Sequence, residues 1–315
     1  MSAETPLSAQ PLYSARPSVR LDGAPDERLD ALLLSMRLDE DEDGMGRLEL
    51  GLSQLAGLAG GGTEPAFGPG GPLQLGTALR VAAGDVAAPV ALFHGRVSAL
   101  EWRVARGGTP ELGVLAEDAL QGARRQRRSR VLADRTLADV VRLVAADLNL
   151  RAQPQALDQV RGTWVQFNES DLAFLRRLLA RAGAGLQVVD DELQAGPAHA
   201  SAHPEVALDL FGQLHEVRVV ADLADQVTAV TCAGWDAEAG RAVTGVADAI
   251  EHPGPGSGRT GVRWLQEAAG PRSEHVGHAA LGHDDEARAF AQAAMDRRAR
   301  GFVRLHGVAE GNPRL

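Results

Sequence analysis

Residues Trp164 to Pro197 read WVQFNESDLAFLRRLLARAGAGLQVVDDELQAGP. Their periodicities spell a strand, a helix, a strand and a turn in one compact unit. Trp164-Val165-Gln166-Phe167 reads as a half-buried strand. Asn168 or Ser170 is placed to cap a helix, and Glu169 and Asp171 put negative charge on its first-turn N–H groups. Leu172, Leu175, Leu178, Leu179 and Ala182 recur at helical spacing, which predicts one buried face. Arg176, Arg177 and Arg181 sit toward the C-terminal end, where the helix dipole favours cations. Gly183 and Gly185 supply a left-handed stop, Leu186 to Val189 a second strand, and Asp190-Asp191 a tight turn into Glu192 to Ala195.

The run F-x-E-S-D-L-x-F-L-x-R-L-L, followed by a small-residue turn and V-V-D-D-E-L, resembles the tail-hub family. That family includes the late control gene D proteins of contractile phages and the hub part of VgrG-type type VI secretion spikes. Its carriers here are Phe167, Glu169, Ser170, Asp171, Leu172, Phe174, Leu175, Arg177 and Leu178. The resemblance extends over most of residues 15–315.

Upstream, Arg16 to Gly23 reads as a strand closed by an Asp-Gly turn, and residues 1–14 as a disordered arm. Leu29 to Leu38 is apolar-rich, Leu38 to Asp43 turns acidic, and Arg47 to Leu52 alternates as a strand. This order also resembles the hub family. Gly60 to Pro72 reads as a flexible loop; it lacks the Gly-Lys-Ser/Thr end of a phosphate-binding loop. Leu75–Ala82, Val90–Leu100, Glu101–Ala105 and Glu111–Glu117 read as four further strands, as in a small antiparallel barrel or sandwich. Arg124, Arg125, Arg127, Arg128 and Arg130 form a basic run. A nucleic-acid contact would want interleaved aromatics, so a solvated linker paired with acids is the better reading. Thr136 with Asp139 predicts a capping box, and Leu137, Val140, Val141, Val144 and Leu148 the buried face of the helix it opens, ended by Asn149.

Downstream, Val206-Leu208-Leu210, Val217-Val219-Ala221 and Val227 to Ala233 alternate as strands. Val230 to Asp236 resembles the hub family's strand ending in a Gly-Trp-Asp turn, with Gly240 and Gly245 marking the return. Pro253 to Gly261 reads as a loop. His275, His278 and His283 lie near Glu274, Asp284 and Asp285, but without a helical pattern at Gly277 a solvated loop explains them better than a metal pair. Asp284 to Arg300 reads as a helix, acids first and Arg297, Arg298 and Arg300 last, with Gly301 as stop and Ala287, Phe290, Ala291, Ala294 and Met295 as its stripe. Phe302 to Val308 reads as a strand, and Gly311 to Pro313 as a turn.

The 315 residues suggest about two domains. All 32 basic residues are arginine, and the net charge of −10 argues against a general nucleic-acid binder. Cys232, the single cysteine, excludes an intrachain disulfide and a cysteine-based zinc site, and reads as a small buried hydrophobe. The N-terminus carries no signal pattern and no stretch is long enough to span a membrane. This predicts synthesis in the cytoplasm, and the resemblance implies assembly into a phage tail or contractile injection particle. No G-x-S-x-G is present, since Gly51-Leu52-Ser53-Gln54 lacks the second glycine. The carboxylate pairs Asp190/Asp191 and Glu169/Asp171 fall on a turn and a helix start rather than in a glycosidase arrangement. No catalytic, cofactor-binding or metal-binding residue is therefore assigned, and no enzyme activity or cofactor is expected. A baseplate-associated peptidoglycan hydrolase is the alternative.

The resemblance implies an α+β, mainly β fold. It would hold two tube-type antiparallel β-barrels, an intervening α/β domain and a small helical insertion. The expected boundaries are barrel 1 at 15–120, the α/β domain at 121–200, barrel 2 at 201–250 with 301–315, and the insertion at 251–300. In the family more chain follows the last strand, so barrel 2 is expected to be incomplete. No repeat between 16–120 and 205–315 is visible in the sequence itself. The family role is a structural baseplate hub: a homotrimer joining the hexameric tail tube protein to a central spike protein, touching other baseplate proteins, and lining a channel for cargo. No specific nucleic-acid site is implied.

Overall fold

The computed structural model describes residues 13–40, 44–57, 63–68, 70–85, 88–159, 161–197, 206–254, 258–277 and 279–311. The first third holds β1 (Tyr13–Leu21), β2 (Ala24–Pro25), α1 (Glu27–Leu32), β3 (Leu33–Asp39), β4 (Arg47–Ser53), β5 (Leu55–Gly57), β6 (Thr63–Pro65), β7 (Ala78–Asp85), β8 (Pro89–Arg103) and β9 (Glu111–Glu117). The middle holds α2 (Leu120–Arg124), β10 (Arg127–Thr136), α3 (Leu137–Asp147), β11 (Arg151–Pro154), β12 (Arg161–Ser170), α4 (Asp171–Arg181), β13 (Ala184–Val189) and β14 (Glu192–Pro197). The last part holds β15 (Leu214–Ala221), β16 (Ala229–Asp236), β17 (Arg241–Ala247), α5 (Gly261–Ala269), β18 (Ser273–Val276), α6 (Asp284–Arg300) and β19 (Val303–Ala309). The protein is mainly β with helices. Its apolar residues gather in three cores, drawn from residues 19–116, 120–195 and 227–295.

The first core lies on one seven-stranded sheet, ordered β2-β1-β7-β8-β9-β4-β3. Strand β4 shows why it forms: Leu48, Leu50 and Leu52 are buried while Arg47 and Glu49 face water, so period-two alternation fixes face and register. The Asp22-Gly23 turn after β1 has both residues in the left-handed region, at φ 47° and 84°. Among the described residues no pairing joins β2 to β3, so the sheet is open where the resemblance implied a closed barrel. The two strands expected over 90–105 are one, β8, because β9 pairs along it across a register shift between Val97 and Ala99.

The glycine-rich loop is only partly a loop. Segment 58–62 and residue 69 lie outside the described residues, but β6 pairs with β5, and Ala66, Phe67 and Leu73 are buried in the first core. Gln54, itself buried, holds this segment like a strand neighbour: its Oε1 accepts from Phe67 N at 3.0 Å and its Nε2 donates to Phe67 O at 2.5 Å.

The second core packs α3 and α4 against the sheet β11-β14-β13 and the ribbon β10-β12. The capping box forms as the sequence predicts: Asp139 N donates to Thr136 Oγ1 and Thr136 N to Asp139 Oδ2, both at 3.1 Å. Asn149 ends the segment at φ 58°. Of the two candidate caps of α4, Ser170 serves, accepting from Ala173 N at 3.2 Å. Leu172, Leu175, Leu178 and Leu179 are buried with Phe174, each fully buried side chain contributing about 2 kcal/mol. The strand reading of Trp164–Phe167 holds with one correction: its buried pair is Trp164 and Gln166, and Phe167 points to solvent. Trp164 has the larger apolar surface and a partner for its indole N–H, the Arg135 carbonyl at 2.8 Å.

The third core seats α6 on the sheet β17-β16-β18. Its predicted stripe of Ala287, Phe290, Ala291, Ala294 and Met295 is buried. Gly245 sits beneath Ala287 and Gly234 beneath Leu281, where backbone replaces side-chain volume. Gly245 is thus a mid-strand contact rather than part of the return turn. One expected strand fails here. Residues 206–209 form no strand, and Leu210 makes one isolated bridge to Leu214. Helix α5 and strand β18 were not expected. Thr260 caps α5 through its side chain, and β18 pairs parallel to β16. Among the described residues strands β15 and β19 pair with no strand but each other, as a separate ribbon.

Candidate interaction surface

The basic run is neither a linker nor a free cationic strip. Arg124 ends α2 and donates to both oxygens of the buried Glu117 at 2.6 Å. Arg125 bonds Gln121, and Arg127 donates to the Asn168 carbonyl at 2.9 Å. Arg128 reaches Asp147 at 2.7 Å and Asp171 at 3.5 Å. Arg130 donates to Asp171 at 2.9 Å and to Gln166 at 2.6 Å. Acids absorb the charges of Arg124, Arg128 and Arg130, the last two because β10 places them beside β12 and the start of α4.

The carboxylates weighed as catalytic pairs are held in the same way. Asp171 is buried and accepts from Arg130 and from Gln166 Nε2 at 2.9 Å, while Glu169 is paired with Arg177. Asp190 sits in the turn before β14 at φ 54°, and Asp191 lies 3.3 Å from His94. Of the three histidines, His275 lies on β18 with its Nδ1 3.1 Å from Thr231 Oγ1, His283 precedes α6, and His278 lies outside the described residues. Among the described residues no three His, Cys, Asp or Glu side chains converge as a metal set. Cys232 lies inside the third core, with Sγ 3.1 Å from the Ala287 carbonyl, and burial pushes its thiol pKa up. Asp118 is the most perturbed acid among the described residues. Burial raises its pKa to about 6, against the pull of backbone hydrogen bonds from Gly46 and Leu120.

The distinctive surfaces are apolar strand faces turned outward. Ribbon β15–β19 has no buried residue in either strand, and its paired Val219 and Leu305 are 59% and 63% exposed. Each strand keeps one edge without a strand partner among the described residues. Val131 and Val165, paired across β10–β12, and Phe167 beside them form a second patch. Trp235 on β16 and Val246 on β17 lie on the side of the third sheet opposite α6. Alternation alone could mark these as strands but not say which face is covered by the chain itself. Trp102 and Leu100 near the end of β8 extend the exposed set. Exposed apolar patches of this kind mark surfaces for association rather than chemistry. No described helix is long and apolar enough to cross a membrane.

The fold is shared with phage tail proteins. The 43 kDa tail protein of prophage MuSo2 from Shewanella oneidensis superimposes with a TM-score of 0.67 at 13% identity, covering 94% of this chain and 82% of that one. The tail protein from Neisseria meningitidis MC58 gives a TM-score of 0.55 at 14% identity, covering 90% and 74% respectively. No curated protein matches the sequence. The model of the family described as the Alg8 N-terminal domain matches residues 70–314, and the chain belongs to that family.

Proposed function

We propose that this protein is a structural, non-enzymatic hub of a contractile tail or injection particle. The observation that carries the reading is the fold shared across 94% of the chain with the MuSo2 tail protein. The exposed strand ribbons support it, since they need cover that the described residues of one chain do not provide. In this reading the β-rich parts at 15–120 and at 201–250 with 301–315 are two tube-type barrel modules, open within one chain and closed only in the assembled ring. The α/β unit at 121–200 lies between them, and 251–300 is an insertion. Three chains close a ring by heterologous contacts, as closed symmetry requires. Six barrels then face a six-fold tail tube, and three chains face a central spike. Other baseplate proteins pack outside, and cargo passes the lumen. Part of the net negative charge lines that channel and keeps anionic cargo from adhering.

Negative-stain imaging with mass photometry tests this. The expected result is three-fold rings with a central hole at the mass of three chains. A protein that stays monomeric at every concentration and clears a peptidoglycan zymogram would overturn it.

A further inference from the structure

A cleft of about 560 Å3 opens where the loop before β16, strand β18, the end of α6 and strand β19 meet. Its lining carries four guanidiniums, Arg272, Arg297, Arg298 and Arg304, against two carboxylates, Asp225 and Glu274. Two of the four cations are answered. Arg298 pairs with Glu274, and Arg304 lies 3.7 Å from Asp225. Arg272 spends one N–H on the Ala224 carbonyl at 2.6 Å, a neutral acceptor that fixes its direction without cancelling its charge. Arg297 has neither an ion pair nor a side-chain hydrogen bond among the described residues.

The end of a helix ordinarily carries negative partial charge. Here three of the last four carbonyls of α6 accept hydrogen bonds. Arg297 O and Arg298 O accept from Gly301 N, Ala299 O accepts from Phe302 N, and Arg298 O also accepts from the buried Gln226 amide at 2.6 Å. The cleft therefore holds a local excess of positive charge in a chain of net charge −10. A guanidinium presents a planar fork of donors that matches the paired oxygens of phosphate and carboxylate.

We propose that this cleft binds a multiply charged oxyanion, with Arg272 and Arg297 as its direct ligands and Arg298 and Arg304 held beside them by Glu274 and Asp225. A free phosphate-type anion and the acidic side chains of a polypeptide share this chemistry. The assignment rests on the cleft alone and does not depend on the hub reading.

The test is titration calorimetry of inorganic pyrophosphate into the full chain at constant ionic strength. Submillimolar binding is expected. It should weaken at least tenfold in Arg297→Glu and less in Arg297→Gln, and stay unchanged in Arg106→Glu, an equal charge change in the exposed turn between β8 and β9. Melting curves of each variant confirm that the fold is retained. Competition with hexaglutamate separates the sources: displacement of pyrophosphate supports a site open to carboxylates, and none supports a site reserved for phosphates. No more heat than a matched chloride titration would overturn the proposal, as would equal weakening by Arg297→Glu and Arg106→Glu.

Discussion

Replacing Gly245 by alanine tests how closely α6 sits on its sheet. A Cβ at Gly245 would lie 2.1 Å from the Ala287 carbonyl oxygen, 2.3 Å from its carbon and 2.8 Å from Arg288 N. All three are backbone atoms, so no side chain can turn aside. Ordinary contact begins at 3.4 Å, and the helix must retreat by about 1.3 Å at this point. That retreat opens the seam of Cys232, Val243, Ala287 and Ala291, each 2% exposed or less. A gap of this size forfeits about half or more of each dispersion contact it opens. Overpacking costs about 1–3 kcal/mol, and rigid backbone puts this case near the top, at about 3 kcal/mol. For a cooperative unit of 150–250 residues that lowers Tm by roughly 6–12 °C. Gly113→Ala on β9 is the control, because its new Cβ would meet Glu101 Cβ at an ordinary 3.4 Å. Differential scanning calorimetry should show the loss in the first variant and none in the second. Equal melting of Gly245→Ala and the parent would refute a helix seated on glycine.

Three further outcomes follow from the same structure. Asp118 has a folded pKa of about 6 against 3.8 when unfolded, so its contribution to stability is complete below about pH 4 and is lost as pH rises through 6. The loss is on the order of 3 kcal/mol; urea midpoints between pH 4 and 7 should trace it, and Asp118→Asn should flatten that part of the profile. Thr136→Ala removes the acceptor for Asp139 N and should cost about 1 kcal/mol in urea denaturation, with faster amide exchange confined to the first turn of α3. Leu305→Asn, on the exposed ribbon, should leave the urea midpoint within about 0.5 kcal/mol of the parent, while mass photometry shows weaker self-association.

What the sequence could state locally it stated well. The capping box at Thr136, the dipole-matched ends of α6 and the alternation of β4 are each written within a few residues of their effect. What it could not state depends on distant partners. Segment 206–210 alternates like a strand, yet only Leu210 finds even a bridge partner. Helix α5 follows a Pro/Gly stretch that hides it, although Thr260, Val262 and Leu265 were its available signal. Strand β18 has four residues and exists because β16 offers it an edge. The arginine cleft was invisible for the same reason, since it joins positions 225, 272 and 304, while Arg297 and Arg298 read only as good helix endings.

The exposed strands carry a different kind of information. Strand β4 carries leucine at its apolar positions, and ribbon β15–β19 carries valine and leucine. In β4 the apolar alternates are buried by the chain itself, whereas in β15 and β19 nothing is buried. A two-stranded ribbon is marginal in water without a covered face. Val219, Val303, Leu305 and Val308 are left exposed by the described chain. Selection for solubility alone would favour charge at such positions. An apolar face at these positions is accounted for if another chain completes it, as the proposed ring would. The Leu305→Asn variant separates the two demands, because it removes apolar surface from the ribbon while leaving all three cores intact.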